Sequence, residues 1–591
     1  MAPLESHAAC EILTEDRVAF RVIPDRFKRG TIKKNHTTIL TKTITSRRFA
    51  ISQLSIGILL LLCALTFYYF AVLRIDYSKT TLLNLAPHPD ATEYFAQAEA
   101  LHRDGWPSIQ IGYEKLPSRY PFGYPVLMLP WLKILPEADA VLAPFRTNQT
   151  MGLLLLLTVF AFYLYLAMPL TGGFAAILLA TLPGFFTFCR SSLSEVSASL
   201  LIVLAFMFAY LGVQEERRWK IYLSAILLGL SLNVRLQSFF FAPLLLAMAV
   251  LPMRAARLRW FFHCAAVPLV FVVAASPMLI LNTIQFHSPL KTGYDLWASY
   301  FSRHHLLFCL RYIPKNALML WREAILKPLG YDAANLFGTG TSFVPAFVIL
   351  ICAGLLFIRL SWFLCCAFVA GLSSFLATLC YLFGGDVRFY LPLLILLIGV
   401  AALPVTWAAN NIAAGKRIVS VATVFILFTA ACLGYPSRSG YNTRGIDRSQ
   451  TLDAFHFATP PSQTLELLAQ KDFAARVSSQ PGIVLSDIDP VYLNALLPRA
   501  FVAAPIDGKH NYPWSYTWRY GPPQALALVE HGLQQSLPVY ALFVSREEAA
   551  TKQSRLPNVA GYKWRVLNNS DGNATILKLT AVGPDQTTPI P

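Results

Sequence analysis

The sequence predicts a polytopic α-helical membrane protein of about eleven spans, followed by a water-facing carboxyl-terminal domain of α/β or α+β type. Three observations predict it. Hydrophobic residues make up 55% of the 591 positions, charged residues only 14%, and the mean hydropathy is +0.50. A soluble domain carries about 25% charged residues, so a water-facing surface of this size would go uncovered. Apolar runs long enough to cross a bilayer recur up to residue 434. The links between them sort by charge in the manner of the positive-inside rule. The same figures exclude a disordered chain, a collagen-like chain and a disulfide scaffold.

Residues 1–48 form a basic segment expected in the cytoplasm, with Lys28, Arg29, Lys33, Lys34, Lys42, Arg47 and Arg48. Residues 49–73 then run without a charge and make the first span. Further spans are expected near 148–168, 173–190, 196–213, 219–234, 237–252, 260–282, 342–358, 361–382, 389–408 and 417–434. Four links are basic: 214–220, 253–259, Arg359, and 416–417. All four fall on the cytoplasmic side if 121–137 enters the membrane without crossing it, as a re-entrant or interfacial hairpin. The transmembrane domain is then 49–434, with outer loops at 74–147 and 283–341. Residues 435–591 form an extracytoplasmic domain. Within it, residues 482–506 read as strand, helix, strand, and the VYALFV and ATILKLTAV stretches read as further strands.

The net charge is +17, from 49 basic and 32 acidic residues. The basic residues lie in the amino-terminal segment and between apolar runs, which points to anionic lipid and membrane topology, not to nucleic acid. Ten cysteines are present, mostly inside apolar runs, with no CxxC spacing. They act as small hydrophobic side chains.

Ionisable residues inside or beside spans are costly, so each is a candidate for function. The first outer loop holds the densest group. Asp90, Glu93, Tyr94 and Gln97 follow helical spacing, Ala98 and Leu101 continue it, and Gly105 ends it. Asp90 is read either as the cap of this helix or as a functional carboxylate. Arg119 and Tyr120, before Pro-Phe-Gly-Tyr-Pro, are either an interface anchor or part of a site. Glu195 either binds substrate or pairs with Arg235. Arg235 and Gln237 sit at a break between two apolar runs, where a charge needs a partner. Arg388 has Asp386 as a possible local partner. Arg303-His304-His305, and His88 with Asp90 and Glu93, are weaker candidates for a divalent metal. Ser486–Asp489 resembles a DxD motif but reads more readily as a turn. Tyr512–Trp518 suits sugar stacking or a membrane surface. Asn148-Gln149-Thr150 and Asn573-Ala574-Thr575 fit glycosylation sequons, the first too close to a span for that use.

Together these residues resemble the polyprenol-dependent glycosyltransferases of the GT-C superfamily, in particular the protein O-mannosyltransferase and lipid A aminoarabinose transferase branch. The likeness is carried by Asp90, Tyr94, Ala98, Leu101 and Gly105, then Gly123-Tyr124-Pro125-Val126-Leu127, Ser194-Glu195, Asn233–Gln237 and Gly385–Tyr390, in that order over roughly residues 50–410. Two departures stand out. The family often has adjacent acids in the first loop, but Ala91 follows Asp90 here. A proline-rich pair common in relatives is replaced by Tyr120-Pro121-Phe122-Gly123.

The resemblance implies a GT-C-like transmembrane fold and transfer of a sugar from a polyprenyl phosphate to an acceptor. Asp90 would be the general base, worth about 10²–10⁴-fold. Glu93 or Glu195 would be a second acid or an acceptor ligand. Arg235, Arg388, Arg303 and Arg119 would hold the donor phosphate, with Arg311 and Lys315 behind them and Tyr94, Tyr120 and Gln237 in support. In-line attack from the face opposite the leaving group implies inversion. The resemblance fixes no cofactor; a divalent metal is the one candidate. Expected partners are the lipid-linked sugar, a lipid, glycan or protein acceptor, and the bilayer. A transporter or flippase for lipid or polysaccharide, or a non-catalytic envelope assembly protein of the same fold, are the alternatives. Charges gathered at one membrane face favour the enzyme, because a transporter places them near the midplane.

Overall fold

The computed structural model describes residues 36–74, 90–249, 257–297, 304–321, 350–358, 361–382, 384–385, 387–411, 465–477, 480–497, 500–506, 521–567 and 574–582. From Ile56 onward they belong to one compact unit. The first helix, α1 (His36–Tyr68), ends in a π-helical turn, Tyr69–Leu73. The first loop supplies α2 (Asp90–Asp104), a hairpin of β1 (Ile109–Ile111) and β2 (Glu114–Leu116), and α3 (Gly123–Ile134). The helical body continues with α4 (Ala143–Tyr165), α5 (Pro169–Thr181), α6 (Pro183–Cys189), α7 (Glu195–Gln214), α8 (Arg218–Val234), α9 (Leu244–Ala249) and α10 (Arg257–Phe286). Two short helices follow, α11 (Gly293–Trp297) and α12 (Ile313–Trp321), and then α13 (Trp362–Cys380) and α14 (Leu391–Asn411).

Six helices among the described residues are long and apolar enough to cross a bilayer: Ser52–Leu73, Asp139–Tyr165, Glu195–Gln214, Trp260–Phe286, Trp362–Cys380 and Arg388–Ala408. This is an integral membrane protein. Part of the difference from about eleven has local causes; the expected 219–234 span is α8, of 17 residues, which falls just short of the six in length. Pro183 divides the expected 173–190 span into α5 and α6, because proline cannot continue the hydrogen-bonded turn. The expected 237–252 span is a 3-10 turn, Leu236–Phe241, followed by the short α9. Residues 417–434 and most of 342–358 lie outside the described residues. The stretch 121–137 is not a hairpin. It holds one helix of 12 residues, α3, with Pro130 inside it. At ~1.5 Å per residue, α3 spans about 18 Å, too short to cross a ~30 Å core.

The carboxyl-terminal region begins with α15 (Leu465–Arg476) and continues with β3 (Gly482–Ser486), α16 (Pro490–Leu496), β4 (Phe501–Pro505), α17 (Pro522–Gln534), β5 (Val539–Phe543), α18 (Arg546–Lys552), β6 (Tyr562–Val566) and β7 (Thr575–Ala581). One sheet results, in the order β4-β3-β5-β7-β6. Strand β3 runs parallel to β4 and β5, whereas β7 runs antiparallel to β5 and β6. The strands expected from sequence are all present, with β6, α15, α17 and α18 as additions. Side chains alternate across β3: Ile483 and Leu485 face a core with Ala525 and Val529 of α17, while Val484 faces Phe473 and Tyr540 on the other side. The first core also takes in Ala96 of α2 and Ile109 and Ile111 of β1.

Candidate functional site

Helix α2 begins at Asp90, so its free N–H groups and dipole favour a carboxylate there. The side-chain bonds of Asp90 go elsewhere, however. One oxygen accepts from the Tyr120 hydroxyl. The other accepts from Arg388 Nη1 at 3.1 Å. Arg388 therefore finds its partner 298 positions away. Asp386, the local alternative, lies outside the described residues.

Arg388 also stands 3.9 Å from Glu195, whose Oε1 is 2.8 Å from Arg235 Nη1. Glu195 is the first residue of α7, where the helix dipole stabilises its charge. Ser194 holds the N-cap position but does not cap. Its hydroxyl accepts from Arg235 at 3.1 Å and shares a hydrogen bond with Tyr94 at 2.9 Å. Asn148 donates to the carbonyls of Ser191 and Leu193, at 2.8 and 2.6 Å, and so fixes this corner. That buried amide is occupied, in keeping with the doubt about its sequon. Phe389 underlies both guanidinium groups, 5.2 Å from Arg235 and 4.7 Å from Arg388. This cation–π contact replaces part of the water that each cation loses.

Backbone geometry places Arg235. Helix α8 stops at Val234, and Arg235 is extended, with φ −155° and ψ 122°. Asn233 reaches across to α10: it donates to Ala274 O at 2.9 Å and accepts from Met278 N at 2.9 Å. These two groups are four residues apart in the helix, so the amide braces the turn that contains Pro277. Gln237 then accepts from Arg235 Nε at 2.8 Å. Gly123 makes this corner accessible to α3. A Cβ at Gly123 would stand 2.4 Å from the Asn233 carbonyl oxygen. Gly293 does the same for the segment after α10, where a Cβ would meet the Arg119 Cα at 2.4 Å. The approach brings Tyr294 edge-on to Tyr120, with ring centroids 5.9 Å apart. Tyr94 packs between Tyr120 and Tyr124. Burial pushes the phenols of Tyr94 and Tyr120 well above their ordinary range, so both keep their protons and can donate.

Arg119 and Glu93 form a second pair beside this group, with Arg119 5.1 Å from the centre of the Tyr120 ring. Both are fully buried, and Arg119 Nη2 lies 2.6 Å from Glu93 Oε1. Ser118 and the Arg119 N–H donate to the same carboxylate, at 2.9 and 3.1 Å. Burial pushes the Glu93 carboxyl upward, opposed by the guanidinium and these donors. A guanidinium so enclosed braces α2 against the loop before α3. The sequence expectation had Arg119 at the donor phosphate and Glu93 as a second acid or acceptor ligand; the structure has the two buried against each other.

The remaining candidates are dispersed. Arg303, His88 and Tyr512–Trp518 lie outside the described residues. His304, His305, Arg311 and Lys315 are exposed. No group of three or more metal-ligating side chains is gathered among the described residues. Asp487 pairs with Lys552 at 3.3 Å, and Asp489 caps α16 through Val491 N at 2.8 Å. The DxD-like stretch therefore serves the strand end and the helix start. Sequence reasoning passed over Phe389 and Tyr294 as site residues, and Ser194 as more than a neighbour of Glu195. The aromatic following each of Arg388 and Gly293 was the available signal.

No protein-family profile matches the sequence, and no curated protein matches it. Solved structures do. ArnT from Cupriavidus metallidurans bound to undecaprenyl phosphate is similar with TM-score 0.54 and 12% identity, over 88% of this chain and 97% of that one. Its apo state gives TM-score 0.53 and 13% identity over the same shares. A looser likeness, TM-score 0.46 at 13% identity over 85% of this chain and 70% of that chain, links it to the oligosaccharyltransferase AglB from Archaeoglobus fulgidus, and nothing rests on that one. The first likeness shows the fold: the chain has the fold of ArnT.

Proposed function

We propose that the protein is a membrane glycosyltransferase that moves a sugar from a polyprenyl phosphate to an acceptor hydroxyl or amine on the extracytoplasmic face. In this reading the amino terminus is cytoplasmic and residues 435–591 are outside. One observation carries it: Asp90 and Arg388 meet at 3.1 Å, and Arg388 and Arg235 share the buried carboxylate of Glu195. A carboxylate beside two guanidinium groups is the pair of functions that glycosyl transfer from a lipid phosphate requires. The fold of ArnT, solved with undecaprenyl phosphate bound, supports the same conclusion.

Asp90 takes the proton of the acceptor hydroxyl or amine as its oxygen or nitrogen attacks the anomeric carbon. The new glycosidic bond forms while the bond from that carbon to the phosphate oxygen breaks. The phosphate leaves with the electron pair, and Arg388 and Arg235 stabilise its charge. Attack opposite the leaving group inverts the anomeric centre. A bound phosphate competes with Asp90 for Arg388, so donor binding frees the carboxylate for its work as base. Glu195 holds the two cations together, and the protonated Tyr120 keeps Asp90 oriented.

The test is mass spectrometry of glycolipids and cell-envelope polymers in cells carrying the wild-type protein, no protein, or Asp90→Asn. A sugar modification present only with the wild type supports the reading. The same modification in all three cell types overturns it.

A further inference from the structure

We infer that Asn494, in the carboxyl-terminal sheet region, is a positioning residue for Asp90: it locks the sheet onto the first-loop hairpin and helix that carry the carboxylate. The inference rests on the reading of Asp90 as the base.

Strand β4 is an edge of the five-stranded sheet, and an edge leaves backbone groups without strand partners. Here the first loop supplies them. Gly112 N donates to Ala503 O at 2.8 Å. The Asn494 amide spans the junction. Its Nδ2 donates to Gln110 O of β1 and to Ala503 O of β4, both at 2.9 Å, and its Oδ1 accepts from Ala503 N at 2.7 Å. One side chain thus satisfies both edge groups of Ala503 and holds the hairpin beside them. Few side chains other than an amide can donate twice and accept once in one plane.

The junction reaches the site through α2. Helix α16, which bears Asn494, packs against α2. Ala495 contacts both the membrane core and the sheet core, and Ala96 of α2 lies in the sheet core with Ile109 and Ile111. Nearer its start, Tyr94 and Glu93 tie α2 to the loop before α3 and to Ser194. The helix is therefore held between two bodies, and Asp90 is its first residue. A shift of the helix moves the carboxylate away from Arg388 directly, and a misplacement of about 1 Å can cost a reaction on the order of 10²-fold. On this account the sheet is a working part of the site, because without it one wall of α2 is absent.

The experiment uses the full-length protein in lipid nanodiscs, with Asn494→Ala and, from the hairpin side, Ile111→Ala. The second leaves the sheet's own hydrogen bonds intact. Hydrogen exchange is followed over residues 90–104 and over β5. Undecaprenyl phosphate binding and sugar transfer are measured alongside. The expected result is at least about tenfold faster exchange in α2 with β5 unchanged, transfer reduced by roughly tenfold to a hundredfold, and lipid-phosphate affinity within about twofold of wild type. Unchanged exchange in α2 overturns the proposal. So does unchanged transfer with a loosened α2, or a loss of lipid-phosphate binding as large as the loss of transfer. Retention of transfer by Asp90→Asn overturns the catalytic reading instead, and the exchange measurement still decides whether the sheet holds α2.

Discussion

Asp90 and Glu93 lie one helical turn apart on α2, yet their surroundings divide their roles. The Asp90 side chain is 20% exposed and faces one cation; that of Glu93 is 1% exposed and encased with Arg119 and its donors. A group that exchanges protons with a substrate must be reachable, and a buried charge must be paired. Removing one partner of the buried pair leaves the other without compensation. Glu93→Gln is therefore expected to lose about 3–5 kcal/mol in reversible unfolding in detergent, and the double change Glu93→Leu with Arg119→Met less than the sum of the single ones. Additive losses would contradict the pairing. Asp90→Asn is expected to lower transfer by about 10²–10⁴-fold with unfolding unchanged to within about 1 kcal/mol. Periodicity in the sequence singled out both acids, but not which would be buried. That depends on Ser118 and Arg119, which reach Glu93 only after the loop folds back over α2.

Helix α2 and the corner after α8 were legible as elements, the first from its spacing and Gly105, the second from a charged interruption in apolar sequence. Their meeting was not legible. It depends on close backbone approaches at Gly123 and Gly293, and on the Asn233 amide bonding across to α10, contacts that join residues far apart in the chain. These approaches give an element-scale prediction. Gly123→Ala places a Cβ against the Asn233 carbonyl and must push α3 from the Arg235 corner, at a cost of about 1–3 kcal/mol. Transfer is expected to fall by more than about tenfold, because Tyr94 and Tyr120 move with the loop. Full activity in Gly123→Ala would mean that this contact does not set the site. The broken spans have the same lesson in reverse. The apolar run at 173–190 looks like one span, and Pro183 decides that it is two helices.

At the scale of the whole molecule, the class of protein was evident from composition, since so few charges cannot clothe a soluble body of this length. Order along the chain also carried the resemblance, and its fold expectation agrees with the likeness to ArnT. The attachment of the carboxyl-terminal sheet to the first loop was hidden, because the residues that join them are 384 positions apart. The proposed orientation puts Glu114 and Glu547, both exposed, on the same outer side. Cysteines at these two positions, in a background without other reactive thiols, should both react with an impermeant maleimide added to intact cells; protection of either until lysis contradicts the topology. The assembled site has one further consequence. Asp90 and a donor phosphate are rivals for Arg388. The decisive measurement is undecaprenyl phosphate binding to purified wild type, Arg388→Gln and Asp90→Asn. Loss of about tenfold or more in affinity is predicted for Arg388→Gln, from a charge-assisted bond worth about 1.5 kcal/mol or more, with equal or tighter binding for Asp90→Asn. Equal affinity in wild type and Arg388→Gln would contradict the account.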